Sequence, residues 1–352
     1  MISATLIPNH LQFKLPAGTS RGVLQTKPTW FLVLKHHLTG NIGVGECSVI
    51  PKLSIDDKPE IENELRKLVQ RINANDVPSI DEYYEWPAIQ FALETALEDL
   101  AYSDSFSPYP GEFSKGEKNI PINGLVWMGS EDFMHTQIQQ KIEDGFDCIK
   151  MKIGAIDFET ELSLLKSIRK KFSPSQIELR VDANGAFSAS EAMSKLDRLA
   201  KFKIHSIEQP IKQNQWKEMA LLTANSPIPI ALDEELIGIT DKGLQIQMMN
   251  FIKPQYIILK PSLLGGTQAS DQWISIAENM NIGWWATSAL ESNIGLNAIA
   301  QWVSNKKIDM PQGLGTGKLF TNNIDSPLTI KSGELIYDLN KTWNTSFLRR
   351  NE

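Results

Sequence analysis

Five charged residues recur along the middle of the chain at nearly constant intervals. Lys152, Asp182, Glu208, Asp233 and Lys260 are separated by 30, 26, 25 and 27 residues. Each lies in a short β-rich run, over 148–154, 177–184, 204–210, 229–235 and 256–266. The intervals 158–172, 188–202, 215–226 and 240–251 read as helices. A strand with its return helix takes roughly 30 residues. Repetition at that period implies a parallel sheet with right-handed crossovers. Charged residues at the carboxyl ends of successive strands belong at the catalytic face of a (β/α) barrel.

The run 148–154 carries the tightest constraint. Alternate side chains of a strand share a face. Lys150 and Lys152 therefore point one way, and Ile149, Met151 and Ile153 the other. Two ammonium groups on a buried strand are costly unless anions face them. Asp182, Glu208 and Asp233, on the next three strands, are expected to converge at one side of the barrel mouth. Crowded carboxylates repel unless a cation joins them. Ligation by Asp and Glu alone suits a hard ion such as Mg²⁺. His205 lies three residues before Glu208, on the opposite strand face, and no other His or Cys near these ends argues for zinc. Lys152 and Lys260 would flank the metal, where cavity and cation favour the neutral, basic form of lysine. The set suits proton abstraction alpha to a carboxylate. Taken singly, the residues have plainer roles: solvated edge lysines, a turn at Asp182, a capping Glu208. A metal-free Schiff-base aldolase using Lys260 would not need three convergent carboxylates. A non-catalytic barrel would be expected to lose some of the five.

At 352 residues the chain can hold a barrel of roughly 200–250 residues and a smaller domain. A net charge of −7 without a long Lys/Arg run gives little support to a nucleic-acid or anionic-membrane role. No long uncharged apolar segment indicates a membrane span. The first residues lack a signal-peptide pattern. Cys47 and Cys148 have no metal or redox spacing and read as small buried apolar residues. The expectation is a cytoplasmic enzyme with a small-molecule carboxylate substrate and no obligate protein partner.

Taken in order, residues 1–50 read as an antiparallel meander with strands at 11–15, 29–34 and 42–47. The polar connection 16–28 is too long for a plain hairpin, and it and the Pro-interrupted segment 50–54 are expected to form a lid. Helices are expected at 55–71 and 86–102, the second with Glu94 and Glu98 on a solvated face. The first barrel strand is placed at 119–127, the seventh at 283–292 and the eighth at 309–315. From 321 the tail lacks an eighth amphipathic helix and is expected to return to the N-terminal domain. The fold class expected is α/β: a (β/α)7β TIM-type barrel over 119–320. An α+β capping domain from 1–118 and 321–352 completes it.

Lys150-Met-Lys152, Arg180-Val-Asp182-Ala-Asn184, Glu208-Gln-Pro210, Asp233-Glu234 and Lys260-Pro261 together resemble the enolase superfamily, muconate-lactonizing subgroup. The superfamily's lysine-and-Mg²⁺ chemistry is a worked case of general acid–base tuning. The resemblance implies Asp182, Glu208 and Asp233 as Mg²⁺ ligands, with Mn²⁺ able to substitute, and Lys152 as base with Lys260 across the site. Lys150, Arg180, Asn184, Ser288 and, from the lid, Arg21 are its expected substrate contacts, and Leu24 is expected to influence substrate choice. Ser288-Ala-Leu-Glu291-Ser-Asn-Ile-Gly295, Gln312-Gly-Leu-Gly315-Thr-Gly317 and Gly45-Glu46 are similar to the o-succinylbenzoate synthase family. That likeness implies a hydro-lyase of menaquinone biosynthesis. N-succinylamino acid racemases, dipeptide epimerases and muconate cycloisomerases use the same residues. Dipeptide epimerases carry Asp-x-Asp on the eighth strand, where this chain has Asp309 alone.

Overall fold

The chain opens with β1 (Ile2–Pro8), then β2 (Leu11–Thr19) and β3 (Gly22–Lys27), then β4 (Thr29–His36) and β5 (Ile42–Ser48). These elements come from a computed structural model that describes residues 1–19, 22–102, 106–308 and 310–349. Strands β1, β4 and β5 form an antiparallel sheet in that order. Helices α1 (Ile61–Asn73) and α2 (Pro87–Leu100) bury their apolar faces against it. Helix α2 lies very close to β5. A Cβ at Gly45 would come within 1.8 Å of the Ala92 carbonyl oxygen, so only glycine admits this contact.

The connection 16–28 is not the open loop expected. Strands β2 and β3 pair antiparallel as a separate ribbon, with a register break between Gln12 and Ala17. Pro16 falls in that break, where a missing N–H costs the ladder least. Strand β1 was not anticipated, and it pairs with β4 along its whole length.

The expected first barrel strand divides in two. Strand β6 (Ile120–Pro121) turns outward, and β7 (Gly124–Val126) begins the barrel. There follow α3 (Glu131–Glu143), β8 (Cys148–Lys152), α4 (Phe158–Lys171), β9 (Glu178–Asp182), α5 (Ala189–Leu199) and β10 (Ser206–Glu208). Then come α6 (Trp216–Asn225), β11 (Ile230–Leu232), α7 (Lys242–Ile252), β12 (Tyr256–Leu259), α8 (Pro261–Leu264), α9 (Thr267–Asn279), β13 (Gly283–Ala286) and α10 (Asn293–Ser304). Strands β7 to β13 form one seven-stranded sheet, in sequence order, with parallel pairing throughout. Two single bridges close it: Ile122 with Gln312 and Thr287 with Gly313, both parallel. The expected eighth strand thus shrinks to two pairing residues, directly after Pro311, which has no N–H to offer. The apolar strand faces and the inner faces of the helices make the barrel's core, with Ile149, Met151 and Ile153 of the lysine run in it.

The tail does not join the cap's sheet. Strands β14 (Leu328–Lys331) and β15 (Glu334–Tyr337) form a hairpin that pairs with β6. The tail touches the cap at two other places. Phe320 bridges Phe13 of β2, and the Phe347 ring lies 5.1 Å from Phe31 of β4. Cys47 and Cys148 are buried free thiols. No helix among the described residues is long and apolar enough to cross a membrane.

Two cap carboxylates dock onto barrel helices. Glu94, expected on a solvated face, is buried. It accepts hydrogen bonds from the Thr267 N–H at 2.6 Å, the Gln268 N–H at 2.9 Å and Thr267 Oγ1 at 2.8 Å. Helix α9 has glycine, Gly266, at its N-cap and so no capping side chain of its own. Glu94 supplies the acceptor that orphan N–H groups need, with a favourable charge for the helix dipole. Glu46 of β5 does the same for α10, accepting from the Ser292 N–H at 2.8 Å, Ser292 Oγ at 2.6 Å and the Gly295 N–H at 2.8 Å.

Burial pushes the Glu94 carboxyl up to about 6, against the pull of its three hydrogen bonds. Burial likewise lifts Asp56 and Asp99 to about 6. A carboxyl raised on folding adds stability below its ordinary range, and that stability is lost as pH rises through 6. Urea unfolding is therefore expected to show stability falling between pH 4.5 and 7. In Glu94→Gln this slope should shrink by on the order of 2 kcal/mol. Equal slopes in both proteins would refute the assignment.

Candidate active site

Strand register sets the site. Lys152, Asp182 and Glu208 are direct cross-strand partners at the carboxyl ends of β8, β9 and β10. Asp233 and Lys260 follow immediately after β11 and β12. All five side chains are at most 9% exposed or line the same cavity. Lys152 Nζ donates to Asp182 Oδ2 at 3.0 Å and to Asn184 Oδ1 at 2.6 Å. Lys150 Nζ donates to Glu208 Oε2 at 2.7 Å and lies 3.5 Å from Asp182. Lys260 Nζ donates to Asp233 Oδ2 and lies 3.7 Å from Glu208 Oε1.

Burial works against the ammonium groups of Lys150 and Lys260. The carboxylates of Glu208, Asp182 and Asp233 more than offset it, and both lysines stand above their ordinary value. Burial also raises Asp182, but Lys152 and Lys150 outweigh it and hold that carboxyl well below its usual range. Asp233 goes the other way. Burial pushes it up, Glu234 and Glu208 push further, and Lys260 only partly compensates. Acid is therefore in excess around Asp233. Glu208 Oε1 and Asp233 Oδ1 are buried and accept no hydrogen bond. Among the described residues no three acidic, imidazole or thiol groups stand ready-spaced around a metal, each carboxylate being drawn onto a lysine.

Each expected substrate contact has a definite place. Lys150 lines the cavity. Asn184 lines it too, but its amide oxygen accepts from Lys152 and its amide nitrogen donates to Glu234 Oε1 at 3.0 Å. Ser288 lines the cavity while its hydroxyl donates to Glu291 Oε2 at 2.7 Å. Arg180 is a correction. It shares the inward face of Asp182 but lies one pleat deeper, outside the cavity lining. Its Nε donates to Glu178 at 2.7 Å, its Nη1 to the Pro311 carbonyl at 2.9 Å, and its guanidinium covers the Trp285 ring at 4.5 Å. Arg21 and Asp309 lie outside the described residues. His205 sits at the amino end of β10, its ring 5.1 Å from that of Tyr256.

The expected lid segments do reach the cavity. Leu24 of β3, with Ile50 and Leu53 beyond β5, lines it together with Lys152. Trp127 and Leu125 form the opposite wall, and Lys152 Nζ is 5.8 Å from the Trp127 ring. The β-period of 124–127 was the signal that could have found these two, since alternate residues of a barrel strand face inward. The cavity is thus charged at its floor and apolar above, a lining complementary to a small anionic molecule with an apolar body.

The arrangement defines a class: a barrel whose second to sixth strands bring lysine, three carboxylates and lysine together at one end, under a cap. Residues 134–340 match the family described as enolase C-terminal domain-like. An o-succinylbenzoate synthase from Desulfotalea psychrophila is 49% identical, over 93% of this chain and 96% of its own. The crystal structure of MenC from the same organism superposes with a TM-score of 0.85 at 44% identity, covering 95% of this chain and 99% of that one. A dipeptide epimerase from Cytophaga hutchinsonii, complexed with Mg and a dipeptide, shares the fold alone, with a TM-score of 0.80 at 21% identity over 99% and 97% of the chains. The chain belongs to the o-succinylbenzoate synthase family of the enolase superfamily.

Leu24 contributes only apolar surface to the cavity. Leu24→Ala is expected to raise KM roughly tenfold, the worth of a buried leucine's contacts, with kcat within about threefold. Steady-state kinetics check this, and an unchanged KM would remove Leu24 from the substrate's surroundings.

Proposed function

We propose that the protein is an o-succinylbenzoate synthase. It dehydrates 2-succinyl-6-hydroxy-2,4-cyclohexadiene-1-carboxylate to 2-succinylbenzoate in menaquinone biosynthesis. One observation carries the reading: Lys152, Lys260 and Asp182 line one cavity, with Glu208 and Asp233 bound to its lysines, in a chain half identical to a synthase. The apolar walls suit a six-membered ring, and the charged floor suits its carboxylate. Among the described lining residues no acidic side chain stands opposite that floor to receive a substrate ammonium.

Asp182, Glu208 and Asp233 would hold Mg²⁺. The donor set fits: three carboxylates, acid in excess, and two buried oxygens that accept nothing. When bound, Mg²⁺ supplies positive charge where negative charge develops on the substrate carboxylate. Lys152 removes the alpha proton, and the C–H electrons pass into the carboxylate. They return to form the ring double bond as the C6–O bond breaks, and Lys152 gives its proton to the departing hydroxide, releasing water. A syn elimination needs one base on one face. Asn184 holds Lys152 Nζ in place, itself fixed by Glu234. Lys260, its ammonium favoured by Asp233 and Glu208, acts as a fixed positive charge across the ring. The lid segments carrying Leu24 and Leu53 exclude water.

Chelation should abolish dehydration, Mg²⁺ should restore it, and Asp233→Asn should weaken Mg²⁺ binding in calorimetry. Full activity after exhaustive metal removal would sink this part. The lysines are tested separately, by following alpha-proton exchange in deuterated water. Lys152→Ala should show none with the dehydration substrate, whereas Lys260→Ala keeps a trace. If Lys152→Ala still dehydrates and Lys260→Ala does not exchange, the base has been assigned to the wrong lysine.

A further inference from the structure

A buried cluster outside the reacting groups joins the lid to the catalytic face. Lys27 is the last residue of β3, at the root of the lid ribbon, and is wholly buried. Its Nζ donates to Ser48 Oγ. Burial lowers its ammonium below the ordinary lysine value, and the carboxylates of Glu46 and Glu291 pull the other way, towards the charged form. Glu46 is occupied at the start of α10. Glu291, equally buried, takes only hydroxyls: Ser262 Oγ donates to its Oε1 at 2.5 Å and Ser288 Oγ to its Oε2 at 2.7 Å.

Those two serines belong to different parts of the site. Ser262 is the second residue after Lys260, in α8, whose N–H groups at Leu263 and Leu264 bond back to the Lys260 carbonyl at 2.8 and 3.2 Å. Ser288 is in the cavity wall, and its oxygen accepts from Thr316 Oγ1 at 2.8 Å and the Leu290 N–H at 2.9 Å. Its hydrogen-bonding capacity is therefore filled by protein, leaving it a structural part of the wall. A single carboxylate thus pins the turn that carries Lys260 to the wall that faces it. A buried carboxylate is costly without a counter-charge. Lys27, at the lid root, is the buried amine whose charged form Glu291 and Glu46 favour.

We propose that Glu291 is a positioning residue of the active site, fixing the Lys260 turn against the Ser288 wall, with Lys27 as its counter-charge from the lid root. The proposal rests on the cavity being the reaction site. It makes lid placement and the geometry of Lys260 one linked variable, since displacing the lid root would strand Glu291.

The test compares Glu291→Gln, Lys27→Met and their double variant with Glu94→Gln. Glu94 is a buried carboxylate at the same domain boundary that touches no cavity residue. Measured well below the melting temperature, Glu291→Gln is expected to lose tenfold or more in kcat/KM, mostly in kcat. Its 2-succinylbenzoate dissociation constant, from intrinsic fluorescence with Trp127 in the wall, should rise only a few-fold. Glu94→Gln should melt earlier yet keep kcat/KM within about twofold. The double variant should be more active than the product of the single losses predicts, because neither charge is then stranded. Wild-type kcat/KM in Glu291→Gln, or strictly multiplicative losses, would overturn the proposal. If Lys27→Met does not fold, the near-isosteric Glu291→Gln and Glu94→Gln carry the comparison. A wild type inert towards the cyclohexadiene substrate overturns the substrate reading alone. The same comparison is then made on alpha-proton exchange in whichever N-succinyl amino acid or dipeptide the wild type exchanges.

Discussion

Charge burial governs this molecule. Lys150, Lys152 and Lys260 meet Asp182, Glu208 and Asp233 at one end of a barrel, almost out of reach of water. Burying any one of these groups alone would cost more than a domain's net stability can absorb. The six are tolerable only as an interleaved set, Lys152 on Asp182, Lys150 on Asp182 and Glu208, and Lys260 on Glu208 and Asp233. Such interleaving demands fixed register, and parallel strands with helical returns supply it: Lys152, Asp182 and Glu208 are direct partners across the ladder. The apolar faces behind those strands then have to be filled, which is what the helix interiors do. The barrel is thus as much a device for holding charge as for burying hydrocarbon.

The same logic extends to the boundary with the cap. A cap–barrel contact made only of apolar surface would fix distance better than angle, because the hydrophobic effect is non-directional. Glu94 and Glu46 instead reach the N-termini of α9 and α10, where backbone N–H groups lie at defined angles. Glycines at the receiving ends leave room. A Cβ at Gly266 would stand 2.0 Å from a Glu94 oxygen. This directional docking matters because the lid belongs to the cap. Leu24 and Leu53 wall a cavity built by the barrel, and with separate anchors at α9 and α10 the orientation that puts them there does not hang on either one alone.

What could be read in the sequence follows from what kind of interaction placed each residue. The βα repeat and the strand-end charges were legible because they depend on local period and spacing, and the five charged residues do meet. In the β2–β3 ribbon only the start of β2, at 11–15, was legible; β3 was not, since its run is mostly polar and pairs with β2 rather than burying an alternating face. The eighth strand was placed correctly within 309–315 but drawn too long, because the pairing there is two single backbone bridges, at Gln312 and Gly313. Glu94 looked solvated because helical spacing gives a face and not what covers it; a partner 173 residues away covers it. Arg180 was expected among the substrate contacts because it shares a face with Asp182. Depth along the barrel axis, which alternation does not encode, placed it beneath them against Trp285.

Depth also explains why so polar a barrel interior does not need to be an entrance. Below the reacting layer, the Arg180 guanidinium donates to Glu178 and the Pro311 carbonyl and covers the Trp285 ring. Glu178 in turn accepts from the Cys148 thiol at 3.3 Å. Trp285 packs with Ala231 and Ile258 from the neighbouring strands. This layer is a plug whose polar groups are partly turned onto one another, with Arg180 Nη2 and Trp285 Nε1 left without hydrogen-bond partners. It gives the floor of the cavity a low-dielectric backing, in which the field between lysines and carboxylates is stronger than it would be against water. The reacting layer can therefore hold a proton on one side and a fixed charge on the other. Reactivity at the strand ends depends on a plug that takes no part in the chemistry.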